Sequence, residues 1–192
     1  MPNGWKFGAN GQAMALCPLA KTASPRQSRA MKKDPIRTTD QEARELAQRL
    51  IRDMKHAVLG TLDPDSGTPL LTRIAIQTDR DGCPMALLSG LAAHSRAIKA
   101  DPKAGLMIAD DSVAKGDPMT HARLSILARA VPAEPDPERR ARWLANDPKA
   151  TVYIDLPDFT FWRLEPQSAL LNAGFARAYR LEPQDMLTAP AE

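Results

Sequence analysis

The first sustained hydrophobic period in the chain is helical. Ala43, Leu46, Ala47, Leu50, Ile51 and Met54 recur on one face of a 3.6-residue repeat. The run Thr39-Asp40-Gln41-Glu42 in front of them reads as a capping box, so an amphipathic helix is predicted to begin at Thr39. Beyond it the pattern shortens to strand-sized runs separated by turn residues. His56 to Leu62 is strand-like, Asp63-Pro64-Asp65-Ser66-Gly67 is a turn, and Pro69 to Thr78 is the next strand. Asp79-Arg80-Asp81-Gly82 makes a second turn before a strand from Pro84 to Ser89.

A short helix follows from about Ala92 to Ala100, stopped by Asp101-Pro102, and then a strand from Ala104 to Ala109. Asp110 to Thr120 has no period and reads as a loop, followed by a strand from Arg123 to Val131. Pro135-Asp136-Pro137-Glu138 opens a helix that runs through Trp143 and ends near Asp147-Pro148. The last strands are Phe159 to Leu164 and Ala169 to Asn172, with Phe175 to Leu181 as a further candidate. About six strands with short connections and a few helices predict a mainly β, α+β chain built on a small antiparallel barrel. No GxGxxG, P-loop or regular βαβ alternation occurs, which argues against a Rossmann or P-loop protein.

Composition agrees with one globular domain: 192 residues, 43% hydrophobic and 26% charged, with no apolar run long enough to span a bilayer. Charge changes the picture only through its distribution. Residues 1–33 hold six basic residues and no acid, so the formal +3 of the whole leaves the remainder at −3. A slightly acidic folded part is a poor nucleic-acid surface. Residues 1–38 are expected to be a disordered basic tail, 39–182 the domain, and 183–192 a flexible end. For the tail a secretory signal fits poorly, an organellar presequence fits better, and translation from Met31 is favoured. Two isolated cysteines, Cys17 and Cys83, make neither a disulfide framework nor a zinc site and suggest a reducing cytoplasm.

Candidate chemistry is sparse. The three histidines, His56, His94 and His121, show no metal-ligand spacing. His94-Ser95-Arg96 opens a short helix after a strand, a setting that suits an anion or an ordinary helix start equally well. Arg73 interrupts an apolar strand and calls for a partner, either a bound phosphate or a carboxylate. No catalytic triad, paired carboxylates or reactive cysteine emerges, so a cofactor is expected to carry any chemistry.

The order of the first helix, Ala57-Val58-Leu59-Gly60-Thr61-Leu62, the strand with Arg73, Leu87-Leu88-Ser89, His94-Ser95-Arg96 and Asp101-Pro102 resembles the pyridoxamine-phosphate-oxidase-related split-barrel superfamily. Leu91-Ala92-Ala93-His94-Ser95-Arg96, Ala122-Arg123-Leu124-Ser125, Trp162-Arg163-Leu164-Glu165-Pro166 and Gly174-Phe175-Ala176-Arg177-Ala178 resemble its haem-utilisation branch. The resemblance implies a six-stranded antiparallel split barrel, a homodimer, and FMN in the groove between subunits. It places Arg73 and the backbone of Ile74 and Ala75 along the flavin, with Leu88 and Ser89 nearby. His94, Ser95 and Arg96 fall on the phosphate segment, Arg123 on a position facing the ring, and Arg177 within reach across the interface. Asn172 stands where the oxidases carry a tryptophan, and their Arg-Leu-His substrate signature is missing, which argues against pyridoxamine phosphate oxidation itself. Haem-degrading relatives use a histidine in a C-terminal extension, and no histidine follows His121 here. The expectation is an FMN-dependent oxidoreductase of unknown substrate. The alternative is a non-catalytic module for haem, another tetrapyrrole or a protein partner, with His94 or His121 as a lone axial ligand.

Overall fold

Helix α1 (Gln41–Asp53) buries Ala43, Ala47, Leu50 and Ile51, the face its period requires. Its cap is Asp40, whose carboxylate accepts the Ala43 N–H at 2.8 Å. The capping box expected on Thr39 and Glu42 is therefore corrected. Thr39 Oγ1 donates to the Arg180 carbonyl at 2.7 Å, and Glu42 pairs with Arg177 at 2.7 Å. Starting one residue later places a charged acceptor on the positive end of the helix dipole, which a hydroxyl cannot match. This computed structural model describes residues 36–110 and 116–187.

Strands β1 (Ile36–Arg37), β2 (His56–Leu62), β3 (Pro69–Ala75), β4 (Gln77–Thr78), β5 (Pro84–Ser89), β6 (Lys103–Ala109), β7 (Arg123–Pro132), β8 (Phe159–Asn172) and β9 (Ala178–Leu181) are joined by helices α2 (Ala93–Ala100), α3 (Pro137–Asn146) and α4 (Pro183–Met186). The single strand predicted from Pro69 to Thr78 divides at Ile76, whose N–H makes the last rung toward the β2 side by donating to the Lys55 carbonyl at 3.1 Å, after which Gln77 and Thr78 pair with β5 instead. The two strands predicted within 159–172 are instead one. A register shift opposite Leu127 and Ala128 lets Gln167 bulge next to Pro166, which has no N–H to give the ladder.

The sheet is nine-stranded and mixed, in the order β1-β9-β8-β7-β6-β2-β3, with β5 on the first half of β8 and β4 on β5. The expectation of six antiparallel strands is thus corrected. The path β3-β2-β6-β7-β8-β5 is antiparallel throughout, but β9, β4 and a parallel β1 extend it. Strands of two residues leave no alternation to read. The flexible end expected over 183–192 is also corrected as far as residue 187. Residues 183–186 form α4, Met186 is buried, and Asp185 binds Arg44 at 2.7 Å. Of the tail expected over 1–38, residues 1–35 lie outside the described part, and pairing with β9 begins at Ile36.

The main core fills the barrel under α1. A second one, Met85, Leu87, Trp143, Ala150 and Ile154, seats α3 on the other side of β5. Strand β5 is therefore apolar on both faces, as its unbroken Met-Ala-Leu-Leu run requires. An ionic knot reinforces α3. Buried Asp79 accepts from Arg139, Arg142 and Arg163 at 3.1, 2.8 and 2.8 Å, and Arg163 also binds Asp81 at 2.7 Å. Among the described residues no helix is long and apolar enough to cross a membrane.

Candidate functional site

Register fixes what the outward face of the sheet presents. One lateral row runs Arg73, Val58, Met107, Ser125, Leu170 and Arg180 across six strands, β3 to β9. The next runs Leu71, Gly60, Gly105, Leu127 and Ser168. A third, at the end where β7 starts, contains Ala109, Arg123, Asn172 and Ala178. Leu71, Met107, Leu127 and Leu170 are exposed on this face, 69%, 45%, 64% and 52% respectively. These rows hold three arginines and no carboxylate. Arg73 and Arg180 make no side-chain hydrogen bond or ion pair among the described residues. The face is an apolar floor with a cationic border, which suits a flat amphipathic anion.

Just before β7, at one end of it, the side-chain nitrogen of a residue of metal-ligand type lies buried beside Gly116. His121 Nε2 is buried without a hydrogen-bond partner among the described residues. Two other buried nitrogens in that condition, Arg139 Nε and Trp143 Nε1, are not ligand types. Two residues on, Arg123 donates to the Met119 carbonyl at 3.0 Å. Across β8, the turn into β9 holds Arg177, paired with Glu42.

The residues expected to hold a flavin do not form one cluster within the chain. Arg73 is exposed and needs no internal partner, because its strand turns that side outward. Ala75 shares that face, whereas Ile74 and Leu88 point inward and are buried, which removes their side chains from any surface groove. Ser89 Oγ donates to Asp158 at 2.6 Å, and Ser95 Oγ donates to the Ser89 carbonyl at 2.6 Å. Arg96 turns to Asp63 and Asp65 at 3.4 and 3.0 Å. An FMN phosphate does not fit this segment as it stands, since two carboxylates hold its guanidinium and its hydroxyl is committed. His94 makes no side-chain hydrogen bond or ion pair among the described residues, and burial lowers its pKa, which favours the neutral imidazole. A groove of about 640 Å3 opens beside Ala75, lined also by Lys55, Gln77, Trp143, Asn146 and Lys149. No sequence pattern announces this groove, because its walls come from segments far apart in the chain.

Residues 43–172 match the family described as pyridoxamine 5'-phosphate oxidase. The chain belongs to this family. Among relatives of this oxidase-family chain is the "Non-canonical heme oxygenase HOZ, chloroplastic" of Arabidopsis thaliana, 34% identical over 59% of this chain and 34% of its own length. The chain therefore spans about a third of that plant protein. "Heme oxygenase HutZ" of Vibrio cholerae serotype O1 is 26% identical over 71% of this chain and 79% of its own. A solved structure of a heme binding protein from Mycobacterium smegmatis is 26% identical, covers 72% of this chain and 58% of its own, and superposes with a TM-score of 0.65. These similarities place the chain in the haem-utilisation branch of the oxidase superfamily.

Proposed function

We propose that the protein binds a tetrapyrrole of the haem type against the outward face of its sheet. The observation that carries this reading is the apolar floor, whose three rows named above hold arginines at their border and no carboxylate, together with the orphaned His121 nitrogen at its end. An apolar macrocycle gains by covering Met107, Leu127 and Leu170, and its carboxylates gain from Arg73, Arg123 or Arg180. His121 Nε2 is the iron ligand in this reading. Bound haem would supply ligand-binding or redox chemistry at its iron. The names of the plant and Vibrio relatives and of the mycobacterial structure support the same ligand class. A second copy of the chain would cover the rest of the exposed face, giving a two-fold dimer with the ligand at its edge.

FMN-dependent oxidoreduction is the second reading, supported by the family match and by the unpaired Arg73 on β3. Parallel titrations separate the two. Haem added to the purified protein should give a shifted Soret band that saturates at one per chain, while FMN fluorescence should stay unquenched. Quenched FMN and an unshifted Soret band would reverse the assignment. Light scattering that returned a 21.0 kDa species would remove the dimer.

A further inference from the structure

The hairpin turn between β8 and β9 displays an aromatic ring that its own fold does not use. Phe175 is 91% exposed at the tip. Gly174 has φ 111°, and Ala176, at φ 56°, is the sole non-glycine residue with positive φ among the described residues. An L-residue in this left-handed region is strained, and such strain persists only where the surroundings enforce it. They do so here without help from the Phe175 side chain. Ala173 N–H donates to the Arg177 carbonyl at 2.8 Å, and Arg177 N–H to the Gly174 carbonyl at 3.2 Å. Asn172 Oδ1 accepts the Gly174 N–H at 3.1 Å, and Arg177 is tied to Glu42 of α1 at 2.7 Å. A side chain on Gly174 would sit 3.5 Å from the Thr120 carbonyl, so the tip packs against the turn that carries exposed Met119.

The position of this braced tip gives it a use. Its flanks, Asn172 and Ala178, are in register with Arg123 at the end of the cation-bordered face. We infer that Phe175, assisted by Met119, is the aromatic wall that stacks on the planar anion bound at this end, and that the strained turn fixes the backbone from which the ring projects. The inference rests on the tetrapyrrole reading and adds a binding residue to it. The charge border selects an anion, and an aromatic ring carried on a fixed turn selects a flat one, because such a side chain has only two torsions to lose on contact.

The test uses metal-free protoporphyrin IX, so that iron ligation does not mask stacking. Its fluorescence on titration gives the affinity of the full chain and of three variants, each also melted without ligand and sized by light scattering. Phe175→Ala should weaken binding about ten-fold with an unchanged melting temperature, and Phe175→Trp should bind like the parent. Ala176→Gly should melt higher, because strain is released, and yet bind more weakly. Equal affinity of Phe175→Ala and the parent would overturn the inference while leaving the tetrapyrrole reading standing. A loss of affinity that accompanies a change of oligomeric state would also overturn it, assigning Phe175 to a protein interface. Failure of the parent itself to bind protoporphyrin or haem would overturn both.

Discussion

Replacing Asp79 by asparagine keeps the shape of the side chain and removes its charge. In the folded protein that carboxylate is 8% exposed and accepts from three guanidiniums, those of Arg139, Arg142 and Arg163, themselves 12%, 34% and 24% exposed. Loss of one partner from a buried ionic cluster typically costs about 3–5 kcal/mol, because the remaining charges stay desolvated. Taking the lower end, since Asp81 still neutralises Arg163, the variant should lose about 3 kcal/mol, or roughly 6–12 °C in melting temperature for a domain of this size. The pH dependence identifies the cause. Burial pushes the Asp79 carboxyl up, but the Arg80 backbone N–H and the Arg163 and Arg139 guanidiniums hold it below the ordinary value. A lowered folded pKa gives stability that is complete above the ordinary aspartate value and is lost as pH falls through the folded value. The parent and Asp79→Asn should therefore differ most near neutrality and converge in acid. Urea denaturation at several pH values measures this directly. A neutral-pH loss under about 1 kcal/mol would show that the knot behaves as a surface pair, and a difference that persists into acid would refute the charge explanation.

Asp40→Ala should cost about 1 kcal/mol by removing the α1 cap, whereas Thr39→Ser should be nearly silent in the same melts. The Cys83 thiol, buried and with its pKa pushed up to about 12 by desolvation, should resist alkylation in native Cys17→Ser protein and react on unfolding, as thiol labelling will show. Arg96→Ala should leave haem affinity within about two-fold, because its guanidinium is turned to Asp63 and Asp65, and titration would reveal any larger loss.

Much of the fold was legible because local chemistry decides it. Strands β2 and β5 begin and end where their patterns predict, since Gly67 and Gly82 take the left-handed conformations that their turns need. The α3 cap at Asp136 was equally readable. What escaped was set by partners distant in sequence. Strand β1 exists only through pairing with β9 and carries no signal of its own, whereas α4 carries one in Pro183 and the Glu182–Asp185 capping box, too short a segment to read without Arg44 and the core that hold it. Pro166 reads as a strand end, but a bulge absorbs it. At the candidate site, His94-Ser95-Arg96 looks like an anion cradle until the turn acids some thirty residues earlier claim Arg96. The sequence left His121 and His94 as equal candidates for an axial ligand. What separates His121 from His94 is a buried nitrogen without a hydrogen bond, which spacing alone does not reveal.

Titrating haem into the parent and into His121→Ala while recording the full absorption spectrum reads out both tetrapyrrole binding and its ligation. The parent should take up one haem per chain with a shifted Soret band. The variant should show a changed ligation spectrum, at least about ten-fold weaker binding, and recovery of the parent spectrum on adding free imidazole, all with the apo-protein melting temperature kept. An unshifted Soret band in the parent, or identical spectra and affinities for parent and variant, would contradict the proposed haem site.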